Sequence, residues 1–200
     1  MKSKNIWIWQ ALLQLIFVLS AAAAVGILGF IVEKENILES VLFFASVYGM
    51  VMGPALDPFV FRNPVAVAVS MGESRKGICL GLELTRVIYM IGIYGMFALT
   101  VIVSPFPDIS AWVILSGYLG ILLAISAISA IFSALTYQRG SNCVWLRLLE
   151  GVLSVIHLLV FVLLLKYAIV SVLALAEGIL LTMLSVHVEK KVLFEWNYRA

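Results

Sequence analysis

Apolar residues run in six long blocks along this chain, and the polar residues that part them are few and clustered. A helix crossing ~30 Å of hydrocarbon needs roughly 20 apolar residues at ~1.5 Å rise each. Six segments reach that length, at about Trp7 to Val32, Ile37 to Phe61, Ile78 to Val103, Ala111 to Thr136, Val144 to Leu165 and Ala168 to Val188. Between them, Glu33-Lys34-Glu35-Asn36 reads as a short acidic turn. In Ser104-Pro105-Phe106-Pro107-Asp108, proline stops one helix, and Asp108 or Ser110 is available to cap the next. Tyr137 to Asn142 closes the fourth segment, Lys166-Tyr167 links the last two, and Glu189-Lys190-Lys191 opens a polar tail. Pro54 and Pro58 each remove a backbone hydrogen bond and predict a kink near the end of the second segment. The pattern predicts one domain: an all-α, polytopic bundle of six transmembrane helices.

The longest break is Arg62 to Gly77. Asn63 before Pro64 makes a helix start, because Asn caps free amides and proline suits the first turn. Gly72 suits the left-handed conformation that ends a helix. Ser70-x-x-Glu73 reads as a capping box opening a second helix that runs into the apolar residues after Ile78. The stretch is thus expected to be a short surface helix, a glycine elbow and a long membrane helix. Val65 to Val69 alternates like a strand, but a lone strand beside a membrane has nothing to pair with.

Composition agrees with the blocks. Apolar residues make up 64% of the 200 residues and charged residues 12%, with a mean hydropathy of +1.13. That charge is about half the soluble average, so lipid must solvate most of the chain. Lys and Arg fix an orientation. Eleven of thirteen (Lys2, Lys4, Arg62, Arg75, Lys76, Arg86, Arg139, Arg147, Lys190, Lys191 and Arg199) fall on one side, and only Lys34 and Lys166 on the other. By the positive-inside rule both termini and the elbow are expected in the cytosol. Lys2, Lys4 and the small residues Ser20 to Ala24 resemble a signal peptide, but the apolar run continues to Val32, which predicts an uncleaved helix. Cys79 and Cys143 have no Cys or His at metal-ligand spacing and read as small apolar residues near the cytosolic face.

Candidate chemistry is sparse. There is no phosphate-binding Gly-x-x-x-x-Gly-Lys-Ser/Thr loop, no His-Glu-x-x-His zinc motif and no Gly-x-Ser-x-Gly elbow. The chain therefore cannot hold nucleotide in the P-loop manner, and it is expected to bind no cofactor and no nucleic acid. His157 falls mid-membrane, as a satisfied packing residue or as a ligand or proton carrier. Glu177 sits near the centre of the sixth segment, where a charge costs roughly 2.5 to 3.5 kcal/mol. It must face protein or water or be protonated, and three uses remain open: a pathway lining, a dimer contact or a hydrogen bond to His157. Glu83 and Arg86 share a helix face, and Asp57 could reach Arg62 or Arg86. These charges form either a gate beneath a pathway or an ordinary interfacial cluster. Frequent small residues, among them Gly92, Gly95, Gly117, Gly120, Ser129 and Ser133, allow close helix approach.

Asn63-Pro64-Val65-Ala66-Val67-Ala68-Val69-Ser70-Met71-Gly72-Glu73-Ser74-Arg75-Lys76, followed by Ile78-Cys79-Leu80-Gly81, resembles the cytosolic segment between the second and third spans of ABC exporter permeases. In that family a small-apolar helix ends in a Gly-x-Ser/Thr-Arg-Arg/Lys turn and re-enters the membrane. The resemblance implies a coupling helix at residues 62–77 that docks on a separate ATPase subunit holding ATP and Mg. Val65, Val67, Val69 and Met71 would fill an apolar groove, Gly72 would bend, and Glu73, Ser74, Arg75 and Lys76 would meet the ATPase. It also implies a second permease copy or paralogue, a bacterial cytoplasmic membrane location, and an apolar or amphipathic cargo such as a peptide or lipid. Two features depart from the family. The amphipathic connecting helix before the first span is missing or merged into Trp7 to Gln14, and the link between the last two spans is too short for extracellular re-entrant helices. A secondary transporter or intramembrane enzyme using Glu177, His157 and Asp57 is the alternative expectation.

Overall fold

The computed structural model describes residues 4–33, 37–55, 71–103, 110–139, 144–164 and 167–195, and these form six helices. They are α1 (Lys4–Glu33), α2 (Ile37–Ala55), α3 (Arg75–Val103), α4 (Ala111–Arg139), α5 (Val144–Leu164) and α6 (Ala168–Glu195). Among the described residues every regular element is a helix, as the blocks predict. Four helices, α1, α3, α4 and α6, are long and apolar enough to cross a membrane. The described parts of α2 and α5 contribute the shorter apolar stretches Val41–Met50 and Leu148–His157. These helices and their apolar outer surface make this a membrane protein. Ile91, Ile102, Leu180 and Met183 are all largely exposed, as lipid contact requires. Trp112 and Trp145 are each 80% exposed, at the starts of α4 and α5.

Helix α4 is the centre. It is apolar all round, as a helix enclosed by others must be, and 67% of its stretch Ala111–Leu135 is buried, against 28% in α1, 33% in α3 and 22% in α6. It packs most extensively on α6, then on α5, and touches α2 and α3. Helices α1, α2 and α3 pack on one another to complete the bundle. The α4–α6 contact is backbone to backbone. A Cβ on Gly120 would overlap the Ala174–Leu175 peptide, and a Cβ on Gly178 would overlap the Gly120 carbonyl. Helices without a hydrophobic drive to associate gain from such closeness through dispersion. Small residues therefore line the buried stripe of α6: Ser171, Ala174, Gly178 and Ser185.

Aromatic and hydroxyl groups lock the other pairs. Phe97 of α3 stacks on Tyr118 of α4, with centroids 3.8 Å apart and planes 11° apart. The Tyr118 hydroxyl donates to the Ser46 carbonyl of α2 at 2.8 Å, and the Tyr89 hydroxyl donates to the Gly49 carbonyl at 2.7 Å. At the start of α1, Trp7 packs its indole into the space left by Gly81. The Thr85 hydroxyl lies 3.0 Å from the Gly81 carbonyl and 3.2 Å from the Trp7 carbonyl, sharing its one donor between α3 and α1.

Two sequence expectations change. The polar run Glu189-Lys190-Lys191 is not a tail; α6 continues through it to Glu195. And α3 opens at Arg75, not after Ser70, for a reason that lies in the elbow. Of the two prolines expected to kink the second segment, Pro54 lies within the last turn of α2. Pro58, the expected surface helix, and Asp57, Val65, Val67 and Val69 lie outside the described residues.

Candidate functional site

Met71 and Gly72 form a turn, and Gly72 has φ +73°, the left-handed backbone its glycine was expected to supply. That reversal ends any helix arriving from before it, so the next must start afresh. Ser74 starts it: its Oγ accepts from the Gly77 N–H at 3.1 Å, and its carbonyl accepts from the Ile78 N–H at 2.9 Å. Ser74 is thus the N-cap of α3, bonding the third residue of the helix, and the capping box on Ser70 is corrected. Glu73 folds its carboxylate over the first turn, into the space beside Gly77. A negative charge there meets the positive end of the helix dipole. Met71 (45% exposed), Ser74 and Lys76 face outward, and Arg75 is the first residue of the helix. The described half of the elbow therefore presents an apolar, a hydroxyl and a cationic side chain next to one continuous 29-residue helix.

Three turns into α3, Arg86 is buried and ion-paired with Glu189 of α6, which is also buried. Glu83 approaches the same guanidinium from one turn earlier, at 3.7 Å. The Glu83–Arg86 neighbourhood was legible in the spacing; the partner across helices is Glu189. Two charges removed from water are tolerated when they face each other. The tie joins the elbow helix to the far end of α6.

A second polar tier lies on α5, where Glu150, Ser154 and His157 share one buried face. His157 Nδ1 lies 2.8 Å from the Leu153 carbonyl, and Nε2 lies 3.3 Å from Glu177 Oε1 on α6. Of the three uses open to Glu177, the bond to His157 is the one the geometry contains. Glu177 is nonetheless 51% exposed, beside the exposed apolar residues Leu173 and Leu180.

The two tiers do not converge. Glu177 and Glu189 are twelve residues apart on one helix, which is ~18 Å along its axis. Among the described residues no three His, Cys, Asp or Glu side chains could share a metal. His187 is exposed, and Cys79 is a half-buried free thiol on α3. Sequence reasoning missed Glu189 and Glu150. Glu189 extends the small-residue stripe of Gly178 and Ser185 at helical spacing, and Glu150 lies four and seven residues before Ser154 and His157. Helical periodicity past the apparent span ends would have found both. Comparison with family models, curated proteins and solved structures finds no match to this chain.

Proposed function

We propose that this chain is a permease subunit of an ATP-driven exporter of the ABC type, spanning a bacterial cytoplasmic membrane six times with both termini in the cytosol. It pairs with a second permease, identical or related, and each engages a separate ATPase subunit that binds ATP and Mg. The carrying observation is the elbow: a left-handed Gly72 and a Ser74 cap feeding a single unbroken helix. A push on that elbow enters the bundle through α3. It reaches α1 through Thr85 and Trp7, α6 through Arg86 and Glu189, and α4 through Phe97 and Tyr118. In this reading Met71 with Val65, Val67 and Val69 seats in an apolar groove of the ATPase, and Glu73, Ser74, Arg75 and Lys76 make its polar contacts. Glu83 and Arg86 lie on the line of transmission. The Lys and Arg asymmetry supports the orientation, and an apolar or amphipathic cargo suits so apolar a bundle. The test is co-purification and transport: Gly72→Pro with Arg75→Glu should release the ATPase and abolish export. Retention of both would end the proposal.

The His157–Glu177 contact favours a second reading, a secondary transporter or intramembrane enzyme that uses these two residues and Asp57 and needs no ATPase. A neighbouring reading frame encoding a P-loop ATPase favours the exporter, and its absence favours the second reading.

A further inference from the structure

We propose that His157 and Glu177 form a proton-binding site within the apolar layer, holding one proton between α5 and α6. The Leu153 carbonyl, 2.8 Å from Nδ1, can only accept, so Nδ1 carries a hydrogen. In a neutral imidazole Nε2 is then a bare lone pair, and it points at Glu177 Oε1 from 3.3 Å. Two acceptors do not face each other at that distance without a proton between them. Either Glu177 is a carboxylic acid donating to Nε2, or His157 is an imidazolium donating to the carboxylate. Both forms hold the same proton and have zero net charge, and they interconvert by moving it along one hydrogen bond.

The surroundings favour that single occupancy. Removing the proton leaves a carboxylate among apolar side chains; adding one leaves a buried imidazolium beside a neutral acid, and both are costly without water. Helix α4, packed on both α5 and α6, has no Asp, Glu, Lys, Arg or His from Ala111 to Gln138, and its Tyr118 hydroxyl is engaged at Ser46. On α5 the next acid is Glu150, two turns away on the same face. On α6 the next titratable groups are His187 and Glu189, with Arg86 and Glu83 of α3 grouped around the latter. None of these described groups is a cation placed to hold Glu177 ionised. His157 is buried and Glu177 half exposed, so the carboxyl is the outer end of this hydrogen bond. Helices α5 and α6 each pack more on α4 than on one another, so this proton also ties α5 to α6.

The site is separate from the exporter reading: it needs no ATPase, and the full chain alone in lipid bilayers tests it. Nitrogen-15 spectra of histidine-labelled protein at neutral pH, with His157 assigned by its loss in His157→Gln, should show Nδ1 protonated. Infrared spectra, with Glu177 assigned by Glu177→Gln, should show a carboxylic acid if His157 is neutral, or a carboxylate if it is an imidazolium. A bare Nδ1, or a neutral His157 beside an ionised Glu177, would overturn the site. For the tie, spin labels at Leu149→Cys and Leu184→Cys, both exposed positions, report the α5–α6 distance in a Cys79→Ser, Cys143→Ser background. Glu177→Gln, whose amide can donate to Nε2, should keep the native distribution, and Glu177→Ala should broaden it. Equal widths in all three proteins would overturn the tie. Should Glu177→Ala fail to fold, the spectra of the native chain still decide the proton.

Discussion

Arg86 and Glu189 lie 103 positions apart in sequence and form a buried ion pair that joins the first half of α3 to the last turns of α6. Breaking a buried pair from one side leaves the other charge stranded, at a cost of about 3–5 kcal/mol. Glu189→Ala should therefore lower the thermal midpoint of the detergent-solubilised protein sharply, and Arg86→Met comparably. The double variant Arg86→Met, Glu189→Leu should recover most of the loss, because both charges are then absent. A double variant no more stable than the singles would mean the pair is not a unit.

Close approach of α4 and α6 yields a prediction with its own control. Gly120→Ala and Gly178→Ala each place a methyl against backbone of the facing helix, which cannot swing aside. Overpacking of this kind costs about 1–3 kcal/mol. Gly95 and Gly151 are helical and have nothing within 4 Å of an added Cβ. Alanine there should be neutral or stabilise by up to ~1 kcal/mol, since alanine is the better helix former. Unfolding midpoints of the four variants should split into these two pairs.

How much of this was legible follows from what each residue's role depends on. The helices were readable because lipid sets a minimum apolar length, and all six begin within three residues of the expected span starts. Gly72 was readable because a left-handed turn is a local property of one residue. Ser74 was missed as the cap because two hydroxyls, at positions 70 and 74, compete for that role, and only the turn at Met71 and Gly72 decides between them. Glu189 was missed because a charged run looks like the end of a span. Its burial comes from Arg86, a partner far away in sequence. Glu177 was singled out for its cost in lipid, but its bond to His157 depends on how α5 and α6 lie on α4, which no local pattern encodes.

Tyr118 joins three helices through two kinds of contact, and these can be separated. Tyr118→Phe keeps the stack on Phe97 and loses the bond to the Ser46 carbonyl, a loss of about 0.5–1.5 kcal/mol. Tyr118→Ala also empties the centre of the core, where large-to-small changes at an aromatic cost about 3–5 kcal/mol. Chemical denaturation in mixed micelles should rank native, Tyr118→Phe and Tyr118→Ala in that order, with the larger step second.

The elbow can be weakened locally without touching the bundle. Ser74→Ala removes the acceptor for the Gly77 amide, at about 0.5–2 kcal/mol, whereas Ser74→Asp restores it and adds a charge suited to the helix dipole. Gly72→Ala forces a Cβ onto a left-handed residue, at roughly 1–2 kcal/mol, although nothing crowds the site. These costs fall on the first turn of α3, while Thr85, Arg86 and Phe97 still hold the rest of the helix. Hydrogen exchange should therefore quicken at residues 75–78 in Ser74→Ala and Gly72→Ala, stay native-like in Ser74→Asp, and remain unchanged beyond Arg86 in all three. If the elbow transmits force, the two frayed variants should bind the ATPase but export more slowly, because a frayed first turn yields under load. Native export rates with a frayed first turn would show that α3 does not transmit the push from its N-terminus.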